Sequence, residues 1–194
     1  MFSVIVLAGG FSSRMLKPKF LLEFNKKTFI ENIVEQYIRQ NCKQLIIVIN
    51  SKYIHLLHFL NLPEDKVQIV VNKYPEKERF YSIQCGLKAL KQKEQVFLHD
   101  VDNPFVNHFT INALIRSIKN YDFAVPTFNN RGGHPVLLNK KPIEDIVSEQ
   151  NTNQNLKFYL KQYQRINVPV NDKKILVNIN TQDDYRSLKM YKLK

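Results

Sequence analysis

The chain has 194 residues, 44% of them hydrophobic, enough for a large core without staples, and its two cysteines, Cys42 and Cys85, are too few for a disulfide framework or a Cys-based metal site, which fits a reducing, cytoplasmic setting. No apolar run approaches the roughly 20 residues that a bilayer demands, and Met1–Ala8 has neither a basic start nor a small-residue cleavage site, so neither a membrane partner nor a signal peptide is expected. The formal charge is +12, but 22 of the 29 basic residues are scattered lysines, a pattern that suits attraction of small anionic substrates better than a nucleic-acid interface.

Apolar runs alternate with helical patterns along the chain. Phe2–Leu7, Gln44–Asn50, Val67–Asn72, Gln95–Leu98 and Phe123–Pro126 read as strands, most of them nearly continuous in hydrophobicity, as buried parallel strands are. Between them, Thr28–Gln40 carries Phe29, Ile30, Ile33, Val34, Tyr37 and Ile38 on one helical stripe; Tyr53–Leu60 is a weaker helix, and Glu78–Gln92 and Phe109–Ile118 are further ones. The pattern changes after about Phe128: a loop, NNRGGHP, leads into a strand at Val136–Leu138, a helix started by Pro142, a helical stretch at Leu156–Tyr163, and strands at Arg165–Val170 and Lys174–Val177. With no linker or repeat, the order predicts one α/β domain over residues 1–194, a Rossmann-like, mainly parallel sheet with helices on both faces and a C-terminal elaboration. Ligands then belong at the carboxyl ends of the strands.

Glycine marks where to look. There are 5, where average usage gives about 14, and all fall in three short segments, so each is expected at positive φ or in close contact with a ligand. After the first strand, Gly9-Gly10 is followed by Ser12, Ser13, Arg14, Lys17 and Lys19, which offer backbone N–H groups, hydroxyls and cations to a polyanion. The alternative is a tight turn with solvated cations. After the strand at Gln95, LHDVDNPFV places Asp100 and Asp102 just before Pro104; such carboxylates suit a Mg²⁺ that bridges phosphate oxygens, and equally a polar turn. In KERFYSIQCGLKAL, Arg79, Ser82 and Gly86 share one helix face, where Gly86 serves packing as readily as a ligand. In NRGGHPVLL, His134 precedes a Pro-led strand and by itself reads as structural. In LVNINTQDDYRSL, Thr181 and Asp184 form a capping box.

These segments, in this order, carry a resemblance. LAGGFSSRMLKPKFLLEF is similar to the L-A-x-G-x-S-x-R-M-G-x-x-K signature of nucleotidyltransferases that attach a nucleotide to a phosphorylated acceptor, with Leu16 in place of the usual Gly. Asp102-Asn103-Pro104 matches the D-x-P of the molybdenum cofactor guanylyltransferases and cytidylyltransferases, while His99-Asp100 with Pro104 is similar to the H-D-x-x-x-P of the methylerythritol phosphate cytidylyltransferases. R-F-Y-S-I-Q-C-G-L resembles R-x-x-S-V-x-x-G-L. G-H-P-V resembles the acceptor loop of the cofactor cytidylyltransferases, and Asn178 to Leu188 resembles a closing [DN]-[IV]-[DN]-T-P-E-D-L with Gln182 in place of Pro.

The resemblance implies a GT-A-like nucleotidyltransferase fold, with residues 1–127 as the nucleotide part and 128–194 as the acceptor part. It implies transfer of a nucleoside monophosphate from a nucleoside triphosphate to a small phosphorylated acceptor. Molybdopterin is the favoured acceptor, a phosphosugar or methylerythritol phosphate the alternative, and a non-catalytic nucleotide-binding relative stays open. LAGG is similar to the guanylyl branch, whereas PKFLL and RGGHPV resemble the cytidylyl branch, which leans the donor to CTP ahead of GTP. Site residues follow position by position. Arg14, Lys19 and Asp102 carry catalysis; Leu7, Ala8, Gly9, Gly10, Ser12, Ser13, Arg79 and Ser82 bind the nucleotide; Arg131, Gly132, Gly133 and His134 meet the acceptor; Asp102, Asp100 and Asn178 hold Mg²⁺. A molybdoenzyme or cofactor-insertion protein is the implied protein partner.

Overall fold

A computed structural model describes residues 1–190 apart from Ser13 and Leu16. The elements run β1 (Ser3–Ala8), β2 (Glu23–Phe24), β3 (Lys27–Thr28), α1 (Phe29–Arg39), β4 (Leu45–Asn50), β5 (Val67–Asn72), α2 (Glu78–Ala89), β6 (Gln95–Asp100), α3 (His108–Ile118) and β7 (Phe123–Phe128). They continue with β8 (Arg131–Gly132), β9 (Val136–Asn139), α4 (Lys140–Ser148), α5 (Leu156–Tyr159), β10 (Arg165–Pro169) and α6 (Gln182–Met190). The main sheet has the order β10-β7-β9-β6-β1-β4-β5, with β8 on β7. Strands β5, β4, β1 and β6 are mutually parallel and β10 is parallel to β7, while β9 is antiparallel to both β6 and β7.

The continuous apolar strands are buried because both faces of the sheet are covered. Along β1, Val4, Val6 and Ala8 enter one core with the apolar stripes of α1 and α3 and with Tyr185 and Leu188 of α6. Ile5 and Leu7 point the other way, into a second core with Phe80, Ile83 and Leu87 of α2, Ile143 and Ile146 of α4, and Leu156 of α5. The two-residue alternation of strand side chains thus distributes one strand between two cores. Thr28 caps α1 through a capping box with Glu31.

Several expectations need correction. Lys174–Val177 is no strand: Lys173–Leu176 forms a 3-10 turn started by Asp172, whose side chain accepts from Lys174 N. Tyr53–Leu60 lies in a 3-10 stretch, Ser51–Phe59, and Pro142 sits inside the first turn of α4 instead of starting it. The short hairpin of β2 and β3 turns at Asn25 and Lys26, both at positive φ (54° and 64°), a turn too short to show as hydrophobic periodicity.

The glycines also behave differently from expectation. No glycine has positive φ; that backbone falls to other residues, Ser12 and Glu78 among them. What Gly86 supplies is closeness. A Cβ there would stand 2.7 Å from Ile5 Cγ2 and 3.0 Å from Val48 Cγ2, so α2 packs onto β1 and β4 at a distance that no other side chain allows. Gly86→Ala should therefore cost about 1–3 kcal/mol of stability by overpacking, measured as a lower urea midpoint with an unchanged slope; an unchanged midpoint would show that the helix is free to retreat.

Candidate active site

The parallel pairing of β1 with β6 sets Leu7 opposite Asp100, and Val101 N donates to Leu7 O at 3.1 Å. The chain turns back here: β4 and β5 extend the sheet to one side of β1, and β6 returns to its other side. Such a reversal opens a crevice at the carboxyl ends of the two strands, and the segments after β1 and β6 both enter it.

The segment after β1 is closed by its own hydrogen bonds. Ser12 O accepts from Met15 N at 2.9 Å, and Ser12 Oγ accepts from Lys19 N at 3.2 Å. Lys19 opens a 3-10 turn after Pro18, and its Nζ donates to Asn180 Oδ1 at 2.7 Å and stands 3.4 Å from Asp102 Oδ2. Gly9 is held against α2, where a Cβ would lie 2.8 Å from Ser82 Oγ. That hydroxyl is already engaged: it accepts from Asn72 Nδ2 at 2.9 Å and donates to Glu78 O at 3.2 Å.

The segment after β6 is fixed from beneath. His99 is fully buried; its Nδ1 pairs with Tyr37 Oη at 2.9 Å and its Nε2 with Asn103 O at 2.7 Å. Since only a protonated ring nitrogen can serve a carbonyl, Nε2 carries the proton and Nδ1 accepts from the tyrosine. Asn103 Nδ2 donates to Lys174 O at 3.1 Å, Ile179 N donates to Asp102 O at 2.8 Å, and Ile175 O receives His134 N at 2.9 Å. One network therefore joins the 99–103 segment, the loop before β9 and the approach to α6.

The two carboxylates have separate environments. Both Asp100 oxygens are taken by Arg79, through Nε and Nη2 at 2.8 Å each, and His134 Nδ1 stands 3.3 Å from Oδ2. Burial pushes the Asp100 carboxyl up, but the Arg79 charge and its hydrogen bonds outweigh this and hold it at about 2. Asp102 shifts upward, through burial first and the neighbouring Asp100 charge second, with Lys19 offsetting part of it. Asp102 Oδ1 is buried without a hydrogen-bond partner among the described residues.

Two clefts share this junction. The first, about 620 Å³, is lined by Leu7, Ala8, Gly9, Gly10, Ser12, Arg14, Lys19 and Ser82 together with Phe11, Phe20, Pro75, Glu76 and Glu78. The second, about 750 Å³, is lined by Gly132, Gly133, His134 and Asn178, and by Leu156, Lys157, Leu160, Lys161, Tyr163 and Arg165. Arg79, Asp100, Asp102 and Asn180 line both. The expected site residues thus gather at two adjoining clefts, with these exceptions. Arg131 is exposed and lines neither; Arg165 lies beside that loop instead. Asp100 has both oxygens engaged by Arg79, whereas Asp102 keeps one unpartnered among the described residues. Asn178 is exposed on the second cleft, and it is Asn180 that reaches Lys19 at the junction. Ser13 and the Leu16 substitution lie outside the described residues.

Sequence reading also missed Asn72. Asn72 closes β5 at the carboxyl edge, where strand ends carry function, so its position was a usable signal. Asn180 stood in the sequence as the second amide of the closing N-I-N-T segment, without an assigned role.

A crevice at the carboxyl edge of a mostly parallel sheet, with two cation-bearing clefts meeting at Asp100 and Asp102, has the form of a nucleotidyltransferase site. The chain belongs to the MobA-like NTP transferase domain family, whose model matches residues 4–166. It is 25% identical to the molybdenum cofactor cytidylyltransferase of Escherichia coli K12 over 95% of this chain and 94% of that one. To a probable molybdenum cofactor guanylyltransferase of Clostridium perfringens strain 13 it is 26% identical, over 96% and 95%. The fold is shared with the crystal structure of an Rv0371c homologue from Mycobacterium sp. strain JC1, at a TM-score of 0.84 and 22% identity, over 100% of this chain and 98% of that one. No helix among the described residues is long and apolar enough to cross a membrane.

Burial lowers the His99 imidazole from 6.5 to about 4, only partly opposed by its bond to Asn103. The unfolded chain therefore binds a proton between these values that the folded chain refuses, so stability is complete above 6.5 and declines as pH falls toward 4. The loss should be on the order of 3 kcal/mol, read from urea midpoints across that range. His99→Gln should be less stable at neutral pH and flatter through the window, and an equal slope in both proteins would assign the titration elsewhere.

Proposed function

We propose that this nucleotidyltransferase moves a nucleoside monophosphate from a nucleoside triphosphate in the first cleft to a phosphorylated acceptor in the second. CTP is the favoured donor and GTP the next, with molybdopterin as the acceptor. The observation that carries the reading is the junction itself, where the two clefts share Arg79, Asp100, Asp102 and Asn180. An acceptor phosphate entering from one side and an α-phosphorus entering from the other meet there. The acceptor oxygen forms a bond to the α-phosphorus in line as the bond to the β-phosphate oxygen breaks, and pyrophosphate leaves with that electron pair.

No protein nucleophile is needed. The residues bring two mutually repelling anions together and stabilise the charge that spreads over the transferring group. Arg14 and Lys19 line the cleft of the triphosphate, and Lys19 is aimed by Asn180 and Asp102. Arg79, fixed by Asp100, presents its remaining N–H donors where the clefts join.

A divalent ion fits what Asp102 offers: a buried carboxylate oxygen without a hydrogen-bond partner among the described residues, a hard oxygen donor. Among the described residues no group of three or more His, Cys, Asp or Glu side chains gathers as a ready-made metal cage. Such a site suits Mg²⁺, which keeps several waters and shares phosphate oxygens with its substrate. Asp102 would hold it, with Asn178 and Asn180 nearby, and when bound it supplies charge neutralisation to the phosphates.

The protein incubated with Mg²⁺ and each triphosphate, with and without molybdopterin, should release pyrophosphate only when donor and acceptor are both present. Release with methylerythritol phosphate alone would reassign the acceptor, and tight triphosphate binding without release would make this a binding protein. Lys19→Ala and Asp102→Ala should each lower kcat by about a hundredfold or more with the circular dichroism spectrum unchanged; near-normal turnover in either would refute its role.

A further inference from the structure

We propose that Arg165, Lys157 and Lys161 form an anion-binding site in the second cleft, selecting a phosphomonoester that carries another negatively charged group besides the phosphate that reacts. The inference rests on reading that cleft as the acceptor side.

Arg165 opens the edge strand β10, paired with Phe123 of β7. Its side chain crosses β7 to the loop before β9, where a Cβ on Gly132 would stand 3.1 Å from Arg165 Nη2 and 3.2 Å from Val125 Cγ1. Glycine at 132 thus provides the bed on which the guanidinium lies, and an ordinary side chain would displace it. Lys157 lies in α5, and Lys161 follows one turn later in the 3-10 turn Leu160–Gln162, its Nζ over the Phe158 ring at 4.8 Å. All three line the second cleft and none lines the first.

Their charge is uncompensated. Among the described residues, none of the three forms an ion pair within 4.0 Å. The carboxylates of this cleft are Asp100 and Asp102, both at the junction, where Arg79 and Lys19 answer them. Cations gathered on one wall repel one another and raise the local concentration of anions. The reacting phosphate already has Arg79 at the junction, so this second group of charges is surplus to it.

The remaining walls narrow the ligand class. Val125, Val136, Leu156 and Leu160 contribute apolar surface to the same cleft. A polyol would leave hydroxyls unpaired against them, whereas a body with apolar faces loses nothing there. Arg165 adds a planar fork of donors that suits a two-oxygen anion such as a carboxylate or phosphate.

The test compares two probes that differ in one charge. 3-Phosphoglycerate carries a phosphate and a carboxylate, and glycerol 3-phosphate has the same skeleton without the carboxylate. In ligand-observed NMR titrations of the full chain, the first should bind about tenfold more tightly than the second. In the triple variant Arg165→Gln/Lys157→Gln/Lys161→Gln the ratio should fall to within about twofold of unity. Equal affinities in the wild type, or a preference that survives in the variant, overturns the proposal. Turnover plays no part in this readout. A wild-type protein that transfers nucleotide to no acceptor would overturn the functional reading and leave the binding comparison to decide this one.

Discussion

Two carboxylates share one crevice, and much of the surrounding architecture serves to give them different fates. Asp100 and Asp102 are two residues apart at the end of a central strand, where like charges raise each other's cost of ionisation. Arg79 answers Asp100 with two hydrogen bonds of 2.8 Å and spends the carboxylate on holding a guanidinium in place. Asp102 has only the longer contact to Lys19 and keeps one oxygen unused. A pair that looks symmetrical in sequence is thus divided into one member bound on both oxygens and one with an unpartnered oxygen.

That division depends on control of the backbone. His99, neutral and buried, grips Asn103 O while Tyr37 grips His99, so α1 in one core determines where the segment carrying Asp102 turns. From Asn103 the same network runs to the carbonyls of residues 174 and 175, and so to His134. Helix packing, the carboxylate segment and the wall of the second cleft are therefore one mechanical unit. A buried polar network of this kind is stabilising only if its members are satisfied, which makes these residues poor candidates for neutral drift.

The sequence disclosed the sheet well because hydrophobic burial is a local signal: Ile5 and Val6 are apolar for opposite cores, and their run of neighbours announces a strand covered on both sides. The apolar stripe of α1 was equally plain. Pairing was less so. Nothing in the Val136–Leu138 run states that β9 is antiparallel and lies between β6 and β7, since three apolar residues suit either direction. The site was legible as segments and not as contacts. Asp100 reads as a metal ligand until Arg79, 21 residues earlier, is found on both its oxygens. Ser82 reads as a ligand until Asn72 is found on its hydroxyl. Glycine scarcity pointed to the right places, and at Gly9, Gly86, Gly132 and Gly133 the reason proved to be crowding rather than handedness of the backbone, while Gly10 has open space around it.

The insertion of β9 bears on how such an enzyme can change over evolutionary time. Because β9 separates β6 from β7 and hydrogen-bonds to both, the parts of the chain that line the two clefts are not modules laid side by side. A chain stopped before it would leave β6 as a bare edge, with its backbone groups open to foreign strands. The part of the chain that lines the second cleft could not be exchanged as a cassette without dismantling the sheet that also carries the first. Substitutions on the walls, such as those at 157, 161 and 165, leave this weave untouched, so the second cleft has an open route to change through side chains and a closed one through recombination.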